Sequence, residues 1–346
     1  MTTPEPETSL KDIARCCNVS IMTVSRAFRN GSVIHPETRK RILAAAEELH
    51  YHRRNRRGRP QSKEQKRPSQ VQLIFGTGSK NTSYFHLRLL TAIEQKLAEL
   101  GHECIIRTTT ADYNIFMRLL DNARRHRCIA TLLMGDFPGE QLPALLNALP
   151  GAIVLDNTGN DTFQRACSSF SFDNFQAALL GVSHLICDCR RSRILLINGR
   201  KNHFFSEEIQ SGYSTALTQN NLPFDEQLIL HTDFSAESAA SALRTFLRKN
   251  ISFDAVFTND EMATGVYRVL QENRIRIPED VSVCGCDDLP VGKQLYPELT
   301  SISLDYAELA ASAADYLQNK GSALTVPVHV KLPPRLQKRK STIPKR

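Results

Sequence analysis

Positions 20 to 29 bring together Ser20, Ile21, Met22, Thr23, Ser25, Arg26 and Arg29. Ile21 and Met22 are apolar groups of the kind that meet a thymine methyl, and a guanidinium such as that of Arg26 can grip guanine through two parallel hydrogen bonds. The hydroxyls of Ser20, Thr23 and Ser25 suit phosphate oxygens, which fix register without carrying sequence information. This is the chemistry of reading duplex DNA in the major groove, and no bond is made or broken in it. It works only if a rigid element holds these side chains on one face.

The flanking residues supply that element. Leu10, Ile13, Ala14 and Cys17 repeat at helical spacing, Asn18-Val19-Ser20 breaks the run, and a second helix follows over about 21–29 with Val24 and Phe28 inward. Asn18 tolerates the turn, Val19 plugs its angle, and Ser20 is a good N-cap with Thr23 three residues on. Pro36 opens a third helix whose inward face is read as Ile42, Leu43, Ala46 and Leu49. Two short helices across a tight turn, braced by a third, are a helix-turn-helix. An ordinary basic three-helix bundle is the alternative, but a merely solvated helix rarely offers Ile21 and Met22 beside Arg26.

Charge supports the same reading. Of the 44 Lys/Arg and 36 Asp/Glu in 346 residues, the first 67 residues hold 15 and 7, which leaves 29 of each sign in the remainder. The whole formal excess of +8 therefore sits at the front, as a polyanion-binding head on a neutral body requires.

Residues 52–70 read HRRNRRGRPQSKEQKRPSQ. Arg57-Gly58-Arg59-Pro60 within them is similar to the core of an AT-hook, in which glycine lets the backbone approach a narrow minor groove and arginines lie along it. A·T-rich tracts supply that width, so Arg57, Gly58 and Arg59 are assigned to the minor groove. A basic tether that only adds phosphate contacts is the competing reading.

Beyond the linker, apolar runs at 71–76, 103–107, 129–133, 152–155, 193–197, 254–257 and 281–283 alternate with helical patterns, notably 85–100, 174–187, 206–219, 236–249 and 261–273. That rhythm predicts parallel sheets covered on both faces, in two lobes, with ligand at the strands' carboxyl ends. The composition, 41% hydrophobic, is enough for cores of that size.

Several classes are set aside. There is no G-x-S-x-G, P-loop, H-E-x-x-H or G-x-G-x-x-G after a strand, so neither catalytic residues nor a cofactor are assigned. No run approaches a membrane span and residues 1–8 lack an apolar signal core, so the expected location is the cytoplasm, on the nucleoid. Nine cysteines include Cys187/Cys189 and Cys284/Cys286, a spacing that on a strand points both thiols to one side. Without C-x-x-C or a Cys/His array they are read as buried apolar thiols rather than metal ligands.

Thr23-Val24-Ser25-Arg26, Pro36-Glu37-Thr38-Arg39 and Ala44-Ala45-Ala46-Glu47-Glu48-Leu49 resemble the headpiece of the LacI/GalR transcription regulators. Phe257-Thr258-Asn259-Asp260, Ile277-Pro278-Glu279-Asp280, Gly285-Cys286-Asp287-Asp288 and Pro297-Glu298-Leu299-Thr300 extend the likeness over nearly the whole chain. The resemblance implies an all-α helix-turn-helix headpiece (1–52), a basic linker (53–70) and an α/β periplasmic-binding-protein-like core of two doubly wound lobes (71–346). Lobe crossings are expected near 170, 302 and 325.

It also implies a homodimer on a near-palindromic operator, acting as a repressor and tuned by a small ligand. Ser20, Ile21, Met22 and Arg26 fall at base-reading positions, with Arg29 where Asn is usual. Tyr84, Phe85, Phe234 and Tyr306 fall on the walls of the ligand cleft, and Asp156, Asn259 and Asp287 among its polar contacts.

Three departures stand out. The linker has no leucine for the family's hinge-helix wedge, Cys286 replaces an aromatic, and Ile209 and Glu207 stand where arginines are common. A neutral polar ligand, a sugar above all, is therefore favoured over an acidic one. A ligand-independent regulator, or an architectural A·T-binding protein with a vestigial cleft, remains as the alternative.

Overall fold

The computed structural model describes residues 9–28, 34–49, 51, 69–78, 83–157, 167–319 and 326–344. Arg29 and the Arg57-Gly58-Arg59 element lie outside the described residues. The chain divides into two units, Met1–Arg67 and Pro68–Arg346.

The first unit holds α1 (Leu10–Cys16), α2 (Ile21–Ala27) and α3 (Pro36–Glu48). Ser9 and Asp12 form a capping box at the start of α1, and Asn18 takes the left-handed conformation (φ 50°) that lets the chain turn into α2. Ile13, Ala14, Cys17, Val24, Ala27, Ile42, Ala45 and Ala46 form its core. One expectation fails: Leu43 is 40% exposed, and Ala45 takes the inward place. Small alanines at 45 and 46 let α3 approach closely enough that Ile42 fills the gap, turning the neighbouring Leu43 out.

The second unit contains two six-stranded sheets. The first is ordered β11-β5-β4-β3-β1-β2, from β1 (Ser69–Thr77), β2 (His102–Thr109), β3 (Ala130–Asp136), β4 (Ile153–Leu155), β5 (Ser168–Phe172) and β11 (His329–Leu332). The second is ordered β12-β10-β9-β8-β6-β7, from β6 (Ile194–Asn198), β7 (Ile229–His231), β8 (Ala255–Phe257), β9 (Ser282–Cys286), β10 (Thr300–Ser303) and β12 (Arg335–Gln337). Every pairing is parallel except β10 with β12. Continuous apolar runs such as Leu132-Leu133-Met134 and Leu195-Leu196-Ile197 are buried on both faces because helices cover both sides of each sheet.

The chain changes lobes three times. It leaves the first sheet after β5, where Asp173 caps helix Asn174–Ser183, and returns after β10 into helix Tyr306–Asn319. The expected third crossing near 325 falls among residues outside the description. β11 beyond it still pairs with β5, so the third change of lobe lies at Pro333-Pro334 instead. The reason is that the chain first adds an edge strand to the lobe it is about to leave.

The Cys-x-Cys pairs also part company. Cys284 and Cys286 are buried on β9, whereas Cys187 is exposed and Cys189 buried on and just after a π-helical turn, His184–Asp188. The strand geometry assumed for 187 and 189 does not occur. Among the described residues no cluster of three or more His, Cys, Asp or Glu is arranged to hold a metal, and no helix is long and apolar enough to cross a membrane.

Candidate functional site

The first candidate surface is the outward face of α2. The Ser20 hydroxyl accepts from the Thr23 backbone N–H at 3.1 Å, and the two hydroxyls lie 2.8 Å apart. One hydroxyl proton is therefore committed inside the cap. Val24 and Ala27 are buried, which turns Ile21, Met22 and Arg26 outward; Ile21 is 44% and Met22 63% exposed. Ser25 is half-buried beside them. From α3, Arg39 Nε donates to the Ala27 carbonyl at 3.1 Å and Arg41 Nη2 to the Cys17 carbonyl at 3.3 Å. These cations close the carbonyl ends of α2 and α1, where the helix dipole favours positive charge. They hold the angle between the two helices, a role the sequence did not reveal.

The second is a cavity of about 370 Å³ between the lobes, at the carboxyl ends of both sheets. Gly135 (φ 93°) and Gly76 let the ends of β3 and β1 close its floor; a Cβ on Gly135 would lie 2.5 Å from the Gly76 carbonyl oxygen. Asp156 follows β4, Phe234 follows β7, Asn259 follows β8 and Asp287 follows β9, and with Phe85 all of them line the cavity. Asp156, Phe234 and Asp287 are left-handed (φ 52°, 74° and 104°), a conformation that costs a side-chain-bearing residue energy and is held here by the surrounding frame. Asp156 N–H donates to the Phe170 carbonyl at 2.8 Å and Asp287 N–H to the Ile302 carbonyl at 2.9 Å.

Not every expected cleft residue reaches it. Tyr306 is buried one layer behind, donating to the Asp287 carbonyl at 3.2 Å and packing on Phe85 and Phe172. It therefore supports the wall and does not face the cavity. Tyr84 is 62% exposed and does not line the cavity, because Ser83 caps its helix and turns Phe85 inward and Tyr84 out. Asn259 does double duty: its side-chain oxygen accepts from the Met262 N–H at 2.8 Å and caps the next helix.

The structure adds residues that spacing alone did not single out. Asp136, at the end of β3, and Arg200, beyond β6, meet across the cavity at 2.6 Å. His203, His86 and Glu261 also line it, with Phe204, Phe205 and Asp233. Burial lowers both imidazoles to about 4, so both are neutral near pH 7. Burial, reinforced by nearby Glu208, raises Asp156 to about 8, and burial with Asp260 and Asp156 nearby raises Asp287 well above the carboxylate range. Ile209 is buried in the core, so no cation enters from that position.

The fold and these two surfaces outline a helix-turn-helix head followed by a two-lobed core with a cleft, and comparison with known proteins finds the same pairing. The model described as bacterial regulatory proteins, lacI family, matches residues 9–54, and that of the periplasmic binding protein-like domain matches 183–342. The HTH-type transcriptional regulator GalR of Escherichia coli (strain K12) is 28% identical over 309 residues, covering 89% of this chain and 87% of the relative. A solved structure of the transcriptional regulator CelR–cellobiose complex is 25% identical, with a TM-score of 0.69 over 97% of this chain and 100% of that one. The lac repressor dimer bound to operator and the anti-inducer ONPF shares the fold, with a TM-score of 0.70 at 24% identity over 98% of this chain and 100% of that one. Residues 9–54 thus match a LacI-family DNA-binding domain and residues 183–342 a periplasmic-binding-protein-like domain, the pairing found in the transcriptional regulators this chain resembles.

Proposed function

We propose that the chain is an operator-specific repressor whose hold on DNA is adjusted by a small polar ligand, a sugar, in the interlobe cleft. The observation that carries it is the face of α2, where Ile21, Met22 and Arg26 stand exposed on a helix fixed by the Ser20 cap and a buried Val24. A solvated helix gains nothing from exposing two large apolar side chains beside a guanidinium, whereas a major groove offers methyls and guanine edges to all three. Ser20, Thr23, Ser25 and Arg29 serve the adjoining phosphates. Two copies placed by a two-fold axis would read a near-palindrome. Arg57, Gly58 and Arg59 would enter an A·T-rich minor groove at its centre in place of a hinge helix.

The ligand reading rests on the cavity's size and lining. About 370 Å³, walled by Phe85 and Phe234 with Asp156, Asn259 and Asp287 at strand ends, suits a mono- or disaccharide. Rings stack on sugar C–H faces and carboxyl and amide groups engage hydroxyls. The cellobiose named with the CelR structure is a ligand of this kind.

The test is a mobility-shift titration of the purified protein on DNA from upstream of its own gene, with and without each of a panel of sugars, alongside a reporter. Nanomolar, sequence-dependent shifts, reporter silencing and release by one sugar are expected. Equal weak binding to every duplex would overturn the reading.

A further inference from the structure

We propose that the interlobe cleft is built for an amine-bearing polyol, with its ammonium among Asp156, Asp287 and Glu261 and a hydroxyl in the corner between Arg200 and His203. This rests on the reading of the cleft as a ligand site and narrows its ligand class.

Carboxyl groups outnumber cations in the cavity, and burial with mutual repulsion leaves Asp156, raised to about 8, and Asp287, raised well above the carboxylate range, holding their protons near pH 7 until a cation reaches them. Five carboxyl groups line it, Asp136, Asp156, Asp233, Glu261 and Asp287, against one guanidinium, Arg200. That cation is already engaged by Asp136 at 2.6 Å. Neither histidine contributes charge near neutrality, since burial holds both at about 4. Asp233 sits at the rim, and its carboxylate is satisfied by the Ser235 N–H at 3.0 Å and hydroxyl at 2.6 Å. Asp156, Glu261 and Asp287 have no ion-pair partner among the described residues. Asp287 is only 4% exposed, and among the described residues the Cys286 thiol is the side-chain partner that meets its carboxyl.

The opposite corner lacks partners of its own. Arg200 Nε and His203 Nδ1 are both buried without a hydrogen-bond partner. Leaving a buried polar atom unpaired is costly, so each such atom marks a place where a partner belongs. A hydroxyl can accept from Nε and exchange a second hydrogen bond with the neutral imidazole. Phe85, Phe204, Phe205 and Phe234 wall the space between, and ring faces attract cations as well as C–H groups. A neutral sugar fills the corner and meets the buried carboxyls in their protonated form, whereas an ammonium lets them ionise against it; an acidic ligand finds no cation left to receive it, since Arg200 is taken by Asp136. An ammonium on a polyol answers both ends at once.

Matched pairs test this by calorimetry at pH 7 on the full-length protein: glucosamine with glucose, galactosamine with galactose, and mannosamine with mannose. N-acetylglucosamine serves as the uncharged amide. At least one amine is expected to bind tenfold or more tighter than both its hydroxyl partner and its amide. Asp156→Asn and Asp287→Asn should erase that preference, with a retained cooperative thermal melt of the two-lobed core showing that each variant is folded.

A neutral sugar binding as tightly as its amine overturns the inference and leaves the cleft a sugar site. No binding by any compound overturns both. An amine preference that survives both substitutions also overturns it, because the charge would then be sensed elsewhere.

Discussion

Arg200 Nη2 and Asp136 Oδ2 lie 2.6 Å apart although they belong to different lobes, 64 residues apart in sequence. Arg88 Nη1, donating to the Asp288 carbonyl at 2.8 Å, and Lys331 with Glu208 at 2.7 Å also bridge the lobes, so all three contacts hold the two sheets together. Arg200→Gln and Asp136→Asn should each loosen closure. Because both side chains are partly exposed, a double-mutant cycle on thermal stability should give a coupling of about 0.5–1 kcal/mol that shrinks with salt. Strict additivity of the two substitutions would mean that the bridge carries no weight.

On α2, exposure and burial predict opposite outcomes for neighbouring residues. Met22→Ala and Ile21→Ala should leave the melting temperature within a degree or so and weaken operator binding by about 1–3 kcal/mol each. Ile42→Ala, fully buried, should cost the head about 2–5 kcal/mol of stability and reduce binding to every duplex alike. Circular dichroism melts beside mobility shifts separate the two behaviours.

For the linker, the measurement is the salt slope and the A·T preference. Two basic segments per dimer predict a log–log slope equivalent to about ten phosphate contacts. Lys in place of both Arg57 and Arg59 keeps the slope nearly unchanged and removes the preference for A·T at the operator centre. If the preference persists at matched salt, the minor-groove assignment fails.

The buried titrating groups set a pH window. Burial raises Asp156 to about 8 and Asp260 to about 7, so the folded chain holds protons that the unfolded chain releases near 3.8. Their contribution to stability therefore falls as pH rises to those values. His86 and His203, lowered by burial from 6.5 to about 4, act in the opposite sense, adding stability as pH rises between those limits. The two effects oppose each other below pH 6.5, and only the carboxyls remain above it. Melting temperature should thus decline from pH 6.5 to 8, and Asp156→Asn should flatten part of that decline. Parallel curves for the two proteins would refute the assignment.

The sequence made the head legible because its information is local. Ser20 caps three residues before Thr23, Asn18 turns, and apolar residues recur each helical turn. Central strands such as β1 and β3 were legible from apolar runs. β5 was not, since its Ser168, Ser169 and Ser171 look solvated; Ser168 meets the Tyr316 hydroxyl at 2.7 Å and Ser169 the His329 imidazole at 2.9 Å, both far along the chain. In the cleft, Phe85, Asp156, Phe234, Asn259 and Asp287 were placed by the family resemblance, and the structure sets all five on the cavity lining. Asp136, Arg200 and His203 were not placed, because their relation exists only across two lobes. Tyr306 was misplaced by one layer for a similar reason: sequence locates the helix start but not the depth at which its first ring comes to rest.

The crossings at Asp173, after β10 and at Pro333-Pro334 also bear on synthesis. The head's apolar cluster closes within residues 10–51, so it can form as soon as it clears the ribosome. Neither large sheet gains its final strand until residues 329–337 have emerged. A nascent chain thus completes its helix-turn-helix head well before its two-lobed core, and premature termination would release a finished head without the cleft.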